Sequence, residues 1–447
     1  LLLSTSTYFV FLVGVFVLYW SVSRVRALAL GLILFANYFF YARWDLRYLA
    51  IIPVASSIDY FIGLGLQATP NRVLRRLLVA ASIALNIGLI AFARNWKLSI
   101  TLSFYAFQAL TYTIDLYRRD SEGTGSYLAH LAAVSFFPTT LAGPITRVSS
   151  LIEQFEKRGP LDAKDGGRAL FLIGLGLIKK LMIADYLAGN LVNRVFDFPN
   201  LYTGVENLMA VYSYTLQLYY DFSGYTDIAI GSALLLGIKL PPNFNRPYAA
   251  HNIADFWRRW HITLSNWLRD YLYFSLPGLR SKWKIFTYVN LLITMVLGGL
   301  WHGQSWNFVI WGALHGLGLV AVRLWQIRTG SKPAASAAWR FASVFLTVHY
   351  VAFAWIFFRA PNLETASAIL SRIASGSASF ANISTGLWVI LVIAILAHYV
   401  PKHWYDFSVN LYIRAPFYAQ AAALAALVIG LQYVAQTGAA PFIYTRF

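Results

Sequence analysis

The chain has 447 residues, no cysteine, 58% hydrophobic and only 12% charged residues, and a mean hydropathy of +0.57. That apolar content exceeds what a soluble globular protein carries, and the missing thiols exclude disulfides, an acyl-cysteine intermediate and S-palmitoylation. The 36 Lys and Arg against 18 Asp and Glu, formally +18, are assigned to loops meeting anionic lipid headgroups, with no nucleic acid expected as a partner.

Apolar runs recur along the chain at Phe9–Trp20, Ala27–Tyr41, Leu49–Leu66, Leu77–Phe92, Leu98–Leu116, Leu128–Leu141 and Ala169–Leu187. They continue at Leu208–Tyr220, Ile228–Leu240, Ile285–Leu300, Phe308–Leu324, Phe341–Phe358, Leu387–Val400 and Ala419–Val434. The first is read as a retained transmembrane helix, since no basic stretch precedes it and no small-residue cleavage site follows. A bilayer needs about 20 apolar residues per helix, so the runs predict an all-α polytopic membrane protein with roughly 11 to 13 spans. The shorter runs between Asn207 and Tyr271 are expected to be bent, re-entrant or interfacial. No linker sets off a soluble domain, so residues 1–447 are read as a single transmembrane domain with a core at approximately 205–325. The longest polar interval begins at Arg147 and predicts a surface helix with Leu151, Ile152 and Phe155 inward and Glu153, Glu156, Lys157 and Arg158 outward.

Metal chemistry has no sequence support. The eight histidines are scattered without ligand spacing, and no His-Glu-x-x-His, Gly-x-Ser-x-Gly or phosphate-binding glycine loop occurs. Gly63/Gly65, Gly174/Gly176 and Gly316/Gly318 sit inside apolar runs and are read as helix-packing contacts. Asp59, Asp115, Asp221 and Asp227 interrupt apolar runs, where a carboxylate needs a partner or a proton, and Arg118, Arg147 and Arg246 are candidate partners. Buried networks that brace helices are the favoured reading for these four.

Two short runs carry the chemical signal: Asp255-Phe256-Trp257-Arg258-Arg259-Trp260-His261 and Gly298-Gly299-Leu300-Trp301-His302-Gly303. Each sets a histidine directly after a tryptophan, 302 − 261 = 41 positions apart. A helix over 255–271 places Trp257, Trp260, Leu264, Trp267, Leu268 and Tyr271 on one face and Arg258, Arg259, Arg269 and Asp270 on the other. Such a helix suits a membrane interface better than a span. His261 falls at the seam of its two faces. His302 ends an almost wholly apolar run, and an ionisable side chain in a membrane segment is a candidate functional group.

Together with Ser103-Phe104-Tyr105, Tyr112-Thr113-Ile114-Asp115, Phe136-Phe137-Pro138, Gly143-Pro144, Tyr220-Asp221-Phe222-Ser223-Gly224, Asn243-Phe244-Asn245-Arg246-Pro247-Tyr248 and Pro441-Phe442-Ile443-Tyr444, these runs carry a resemblance. They resemble the membrane-bound O-acyltransferase family, in its bacterial branch that O-acetylates alginate. The resemblance covers most of the chain. It implies His302 as catalytic base and His261 as the second polar active-site residue. Trp257, Trp260, Trp301, Asn245, Arg246, Asp221 and His315 are candidates for contacting substrate or lining a central tunnel. The chain departs from the family at Phe274-Ser275-Leu276-Pro277-Gly278, where Pro-Leu-Gly-Gly is usual, so donor or partner contacts are not carried over there.

A histidine in a water-poor site stays neutral near pH 7 and can take a proton from an attacking hydroxyl, an effect typically worth about 10² to 10⁴ in rate. His261 would orient that hydroxyl or donate to the developing oxyanion. The resemblance implies an acyl thioester donor on the cytoplasmic side, acetyl-CoA or an acyl-carrier protein, with no resident cofactor. It implies transfer of an acetyl group to an exported polysaccharide, directly or through an extracytoplasmic acetyltransferase or esterase-like partner, in the cytoplasmic membrane of a bacterium. One alternative within the family is D-alanyl transfer to teichoic acid. The other is a transporter or flippase, whose polar residues would line a pathway; an inverted repeat would favour it, and none is found.

Overall fold

The computed structural model describes residues 2–92, 99–140, 143–157, 159–278, 283–330 and 336–434. Among these every regular element is helical, as expected for a chain whose backbone amides have no water to bond in a bilayer. Five helices are long and apolar enough to cross a membrane: Tyr48–Ala68, Arg72–Phe92, Ile285–His302, Trp306–Thr329 and Ala337–Arg359. A sixth span results if the bent pair Thr385–Tyr399 and Lys402–Arg414 counts as one. Ser6–Val22, Arg26–Ala42 and Phe417–Leu431 are shorter apolar helices. The Pro441-Phe442-Ile443-Tyr444 motif, Arg158 and Leu141 lie outside the described residues.

The described chain forms two compact units that interleave in sequence. One comprises the residues up to Leu177, Gly224–Pro242 and the residues from Ser408 onward. Its buried carboxylates are each satisfied: Asp59 accepts from Ser82 Oγ at 2.6 Å and Asn86 Nδ2 at 2.9 Å, and Asp115 faces Arg147 at 3.8 Å. These are helix-bracing contacts of the kind expected. Arg75, which the sequence places among loop charges, is instead buried in the helix Arg72–Phe92. It donates to the carbonyls of Leu66, Leu116 and Tyr117, satisfying acceptors at the ends of two other helices. The predicted surface helix is present at Val148–Glu156 with Val148, Leu151, Ile152 and Phe155 buried.

The second unit comprises Ile178–Ser223 and Asn243–Phe407. It opens with π-helical turns at Ile178–Ala184 and Ala188–Val192, a wide helical form that often marks functional sites. The helices Ile285–His302 and Trp306–Thr329 pack through glycine. A Cβ on Gly299 would strike the Phe308 carbonyl, and one on Gly312 would strike the Met295 carbonyl and the Val296 Cα. Backbone atoms cannot yield as a side chain does. Gly312→Ala should therefore cost about 1 to 3 kcal/mol and lower the Tm of the purified protein. Gly14→Ala, where nothing lies within 4 Å, should not. Equal melting of the two variants would show that this close approach is unimportant. All three Gly-x-Gly pairs singled out in the sequence prove to be packing contacts: Gly63 meets Tyr112, Gly176 meets Gly224 and Ile228, and Gly318 meets Ile253 and Tyr350.

Two helical expectations are corrected. The runs Leu208–Tyr220 and Ile228–Leu240 are not separate, bent pieces. The first run and the second as far as Leu235 belong to one helix, Gly204–Leu235, whose 32 residues rise about 48 Å. The intervening Asp221, Ser223 and Thr226 are buried within it, so these polar residues do not mark the bend or break expected there. Residues 255–271 likewise do not form one amphipathic helix. They form Ile253–Trp257, a break, Ile262–Trp267 and a π turn at Leu268–Leu272.

Candidate active site

The cause of that break is Asn243. In a continuous helix the amides of Ile262 and Thr263 would bond back to the carbonyls of Arg258 and Arg259. Instead Ile262 N donates to the Asn243 carbonyl at 2.9 Å and Thr263 N to Asn243 Oδ1 at 3.2 Å, while the Arg259 carbonyl accepts from Asn245 N at 2.9 Å. His261 sits at the break with φ +40° and ψ +54°. This left-handed conformation costs a side chain-bearing residue roughly 1 to 2 kcal/mol, and the Asn243 bonds hold it in place. Its Nδ1 lies 3.1 Å from Asn243 Oδ1. The ring meets Phe222 edge-on at 4.6 Å and is only 1% exposed. Burial holds its imidazole well below the usual histidine range, and His302 pushes in the same direction, so His261 is neutral at pH 7.

His302 is the last residue of the helix Ile285–His302 and is 5% exposed. Its ring is enclosed by aromatic neighbours: Trp301 at 4.5 Å, Phe358 at 4.9 Å and Trp311 at 5.4 Å. The following Gly303 leaves room for Phe308, whose ring a Cβ there would strike. Aromatic rings connect the surroundings of the two histidines, from His261 through Phe222, Phe244, Trp260 and Trp355 to Trp311 beside His302.

The other candidates divide. Trp260 is buried in this cluster, stacked on Phe256 at 5.6 Å. His315, regarded in the sequence as a secondary candidate, belongs to it as well. Trp257 Nε1 donates to its Nδ1 at 3.3 Å, and its ring lies 4.9 Å from Trp311. Its Nε2 has no hydrogen-bond partner among the described residues. Asn245 is exposed, and Arg246, also left-handed at φ +46°, reaches toward the Val400 carbonyl at 3.5 Å. Asp221 pairs with Lys180 at 2.5 Å, a cation not among the partners considered for it in the sequence. Lys180 also bonds Asp185 at 2.8 Å. Its signal in the sequence was a lysine inside the apolar run Ala169–Leu187. Asn243 was visible only as part of the Asn-Phe-Asn-Arg-Pro-Tyr motif. Asp255 holds Arg259 at 3.1 Å and Arg258 at 3.4 Å, and Asp270 holds Arg269 at 2.7 Å, so each arginine of the predicted polar face has a carboxylate partner, Arg258 and Arg259 sharing one.

An all-helical chain with several membrane-crossing helices and buried, paired polar groups at its centre of chemistry is a multi-pass membrane protein. The family profile of "membrane-bound O-acyltransferase" matches residues 85–364, which include both histidines, Lys180 and Asn243. The chain is 39% identical over 374 residues to the "probable alginate O-acetylase AlgI" of Azotobacter vinelandii, covering 78% of this chain and 72% of that protein. It is 35% identical over 384 residues to the "peptidoglycan O-acetyltransferase" of Helicobacter pylori, covering 75% and 72%. Against the "teichoic acid D-alanyltransferase" of Bacillus subtilis the identity is 30% over 239 residues, covering 50% and 59%. The chain belongs to the membrane-bound O-acyltransferase family. It is an O-acyltransferase, and the transporter alternative is set aside.

Proposed function

We propose that this enzyme moves an acetyl group from a cytoplasmic thioester, acetyl-CoA or an acyl-carrier protein, to an exported polysaccharide, directly or through an extracytoplasmic acetyltransferase or esterase-like partner. The observation that carries this reading is the pair of buried histidines, one ending an apolar helix and one held at a helix break, bordering one run of packed aromatic rings. His302 takes the proton of the acceptor hydroxyl as its oxygen attacks the thioester carbonyl. The C–S bond then breaks, and the thiolate leaves with the proton from His302. Exclusion of water by the aromatic cluster protects the thioester from hydrolysis. Reacting residues lie in a core at approximately 205–325, around a tunnel lined by Trp257, Trp260, Trp301 and His315, in a fold of roughly 11 to 13 spans. The enzyme sits in a bacterial cytoplasmic membrane, among lipids, with no bound cofactor or metal.

Acetyl is favoured over D-alanyl because similarity to the two O-acetylating relatives spans 78% and 75% of the chain, against 50% for the D-alanylating one. The test is production of the chain in a bacterium lacking its own polysaccharide O-acetylation, followed by alkaline release of acetate from the exported polymer. Polymer-bound acetate only when the chain is present supports the reading; D-alanine ester in its place would sink it. His261 gives a finer result. His261→Ala should cut transfer strongly, whereas His261→Asn, which keeps a hydrogen-bonding group, should retain part of it. Wild-type transfer by the alanine variant would reduce His261 to a packing residue.

A further inference from the structure

The contacts of Asn243 with the His261 turn reach beyond holding a backbone in place. Thr263 N can only donate, so the Asn243 atom facing it at 3.2 Å is the amide oxygen and not the amide nitrogen. That oxygen also accepts from Thr263 Oγ1 at 3.0 Å. An amide oxygen cannot donate, so the His261 Nδ1 lying 3.1 Å from it must carry the proton. A neutral imidazole has a single N–H, which leaves the lone pair on Nε2.

We infer that Asn243 is a positioning residue that fixes the tautomer of His261, with the proton on Nδ1 and Nε2 as the ring's hydrogen-bond acceptor. This rests on reading His261 as an active-site residue and narrows its role. As a neutral ring it receives a hydrogen bond from the acceptor hydroxyl and steers that group for attack. Donation to the oxyanion falls to another group. Asn243 thus sets the left-handed backbone at His261, through its carbonyl on Ile262 N and its amide oxygen on Thr263 N, and through the same amide oxygen the chemistry of the ring, so backbone and tautomer are specified by one residue 18 positions earlier.

The test is ¹⁵N spectroscopy of histidine-labelled protein in lipid nanodiscs at pH 7.5, the His261 signals being identified by their loss in His261→Gln. Wild type is expected to show a protonated Nδ1 and a bare Nε2, opposite to the tautomer that free histidine prefers. Asn243→Leu should lose the Nδ1–H signal, whereas Asn243→Asp, which keeps an acceptor oxygen in the same place, should retain it. A bare Nδ1 in wild type, or an unchanged spectrum in Asn243→Leu, overturns the inference. If the leucine variant does not fold, wild type and the aspartate variant decide alone: loss of the Nδ1 proton in Asn243→Asp overturns it as well. The spectrum reports a proton position and not turnover. It therefore stands or falls separately from any failure of His302 or His261 variants to affect acyl transfer.

Discussion

Cells producing His302→Ala should make the protein at normal levels in the membrane and transfer no measurable acyl group. The imidazole is enclosed by Trp301, Trp311 and Phe358, so alanine leaves a hole that those rings partly fill, and the fold survives. Chemistry does not. Loss of a general base typically removes about 10² to 10⁴ in rate, and with no cysteine in the chain a thiol cannot take over. His302→Gln, which preserves volume and a hydrogen-bonding edge but has no basic nitrogen, should fail equally. Acceptor acylation near the wild-type level in cells carrying a well-expressed His302→Ala protein would remove His302 from the mechanism.

The largest effect on stability is expected at Lys180. Its ammonium is 1% exposed and lies between the carboxylates of Asp221, itself 3% exposed, and Asp185. Removing one partner of a buried ion pair costs about 3 to 5 kcal/mol, because the remaining charge keeps its desolvation penalty. Lys180→Met should accordingly cut the amount of folded protein in the membrane and lower its Tm by several degrees. Lys180→Met combined with Asp221→Leu should recover part of the loss, since an apolar pair leaves one fewer uncompensated charge. Melting of Lys180→Met at the wild-type temperature, or no recovery in the double variant, would show that the pair contributes little.

The sequence made some of this legible because the relevant physics is local. An apolar run ending in Trp301-His302-Gly303 has to be a membrane helix with a polar terminus, and the helix Ile285–His302 ends at that histidine. The glycine pairs were legible for a similar reason: in an apolar run a glycine has little use but close packing. What escaped depends on groups distant in the chain. The period of residues 255–271 is helical, yet Asn243 captures two of the amides a continuous helix requires. No periodicity within 255–271 encodes that competition. Asp221 read as an interruption because its cation, Lys180, lies 41 positions earlier, by 221 − 180. Once paired, the carboxylate sits inside the helix Gly204–Leu235 without ending it.

The interleaving of the two compact units bears on how the chain is made. The unit that contains the first 177 residues is completed by Gly224–Pro242 and by residues from Ser408 onward. Gly174 packs against Leu424 and Leu427, and Gly167 against Ile413. During synthesis, helices inserted first must wait in the bilayer while more than two hundred further residues emerge. The oldest helices thus enter the bilayer well before their packing partners at Ile413, Leu424 and Leu427 have been made, and their packing together follows insertion.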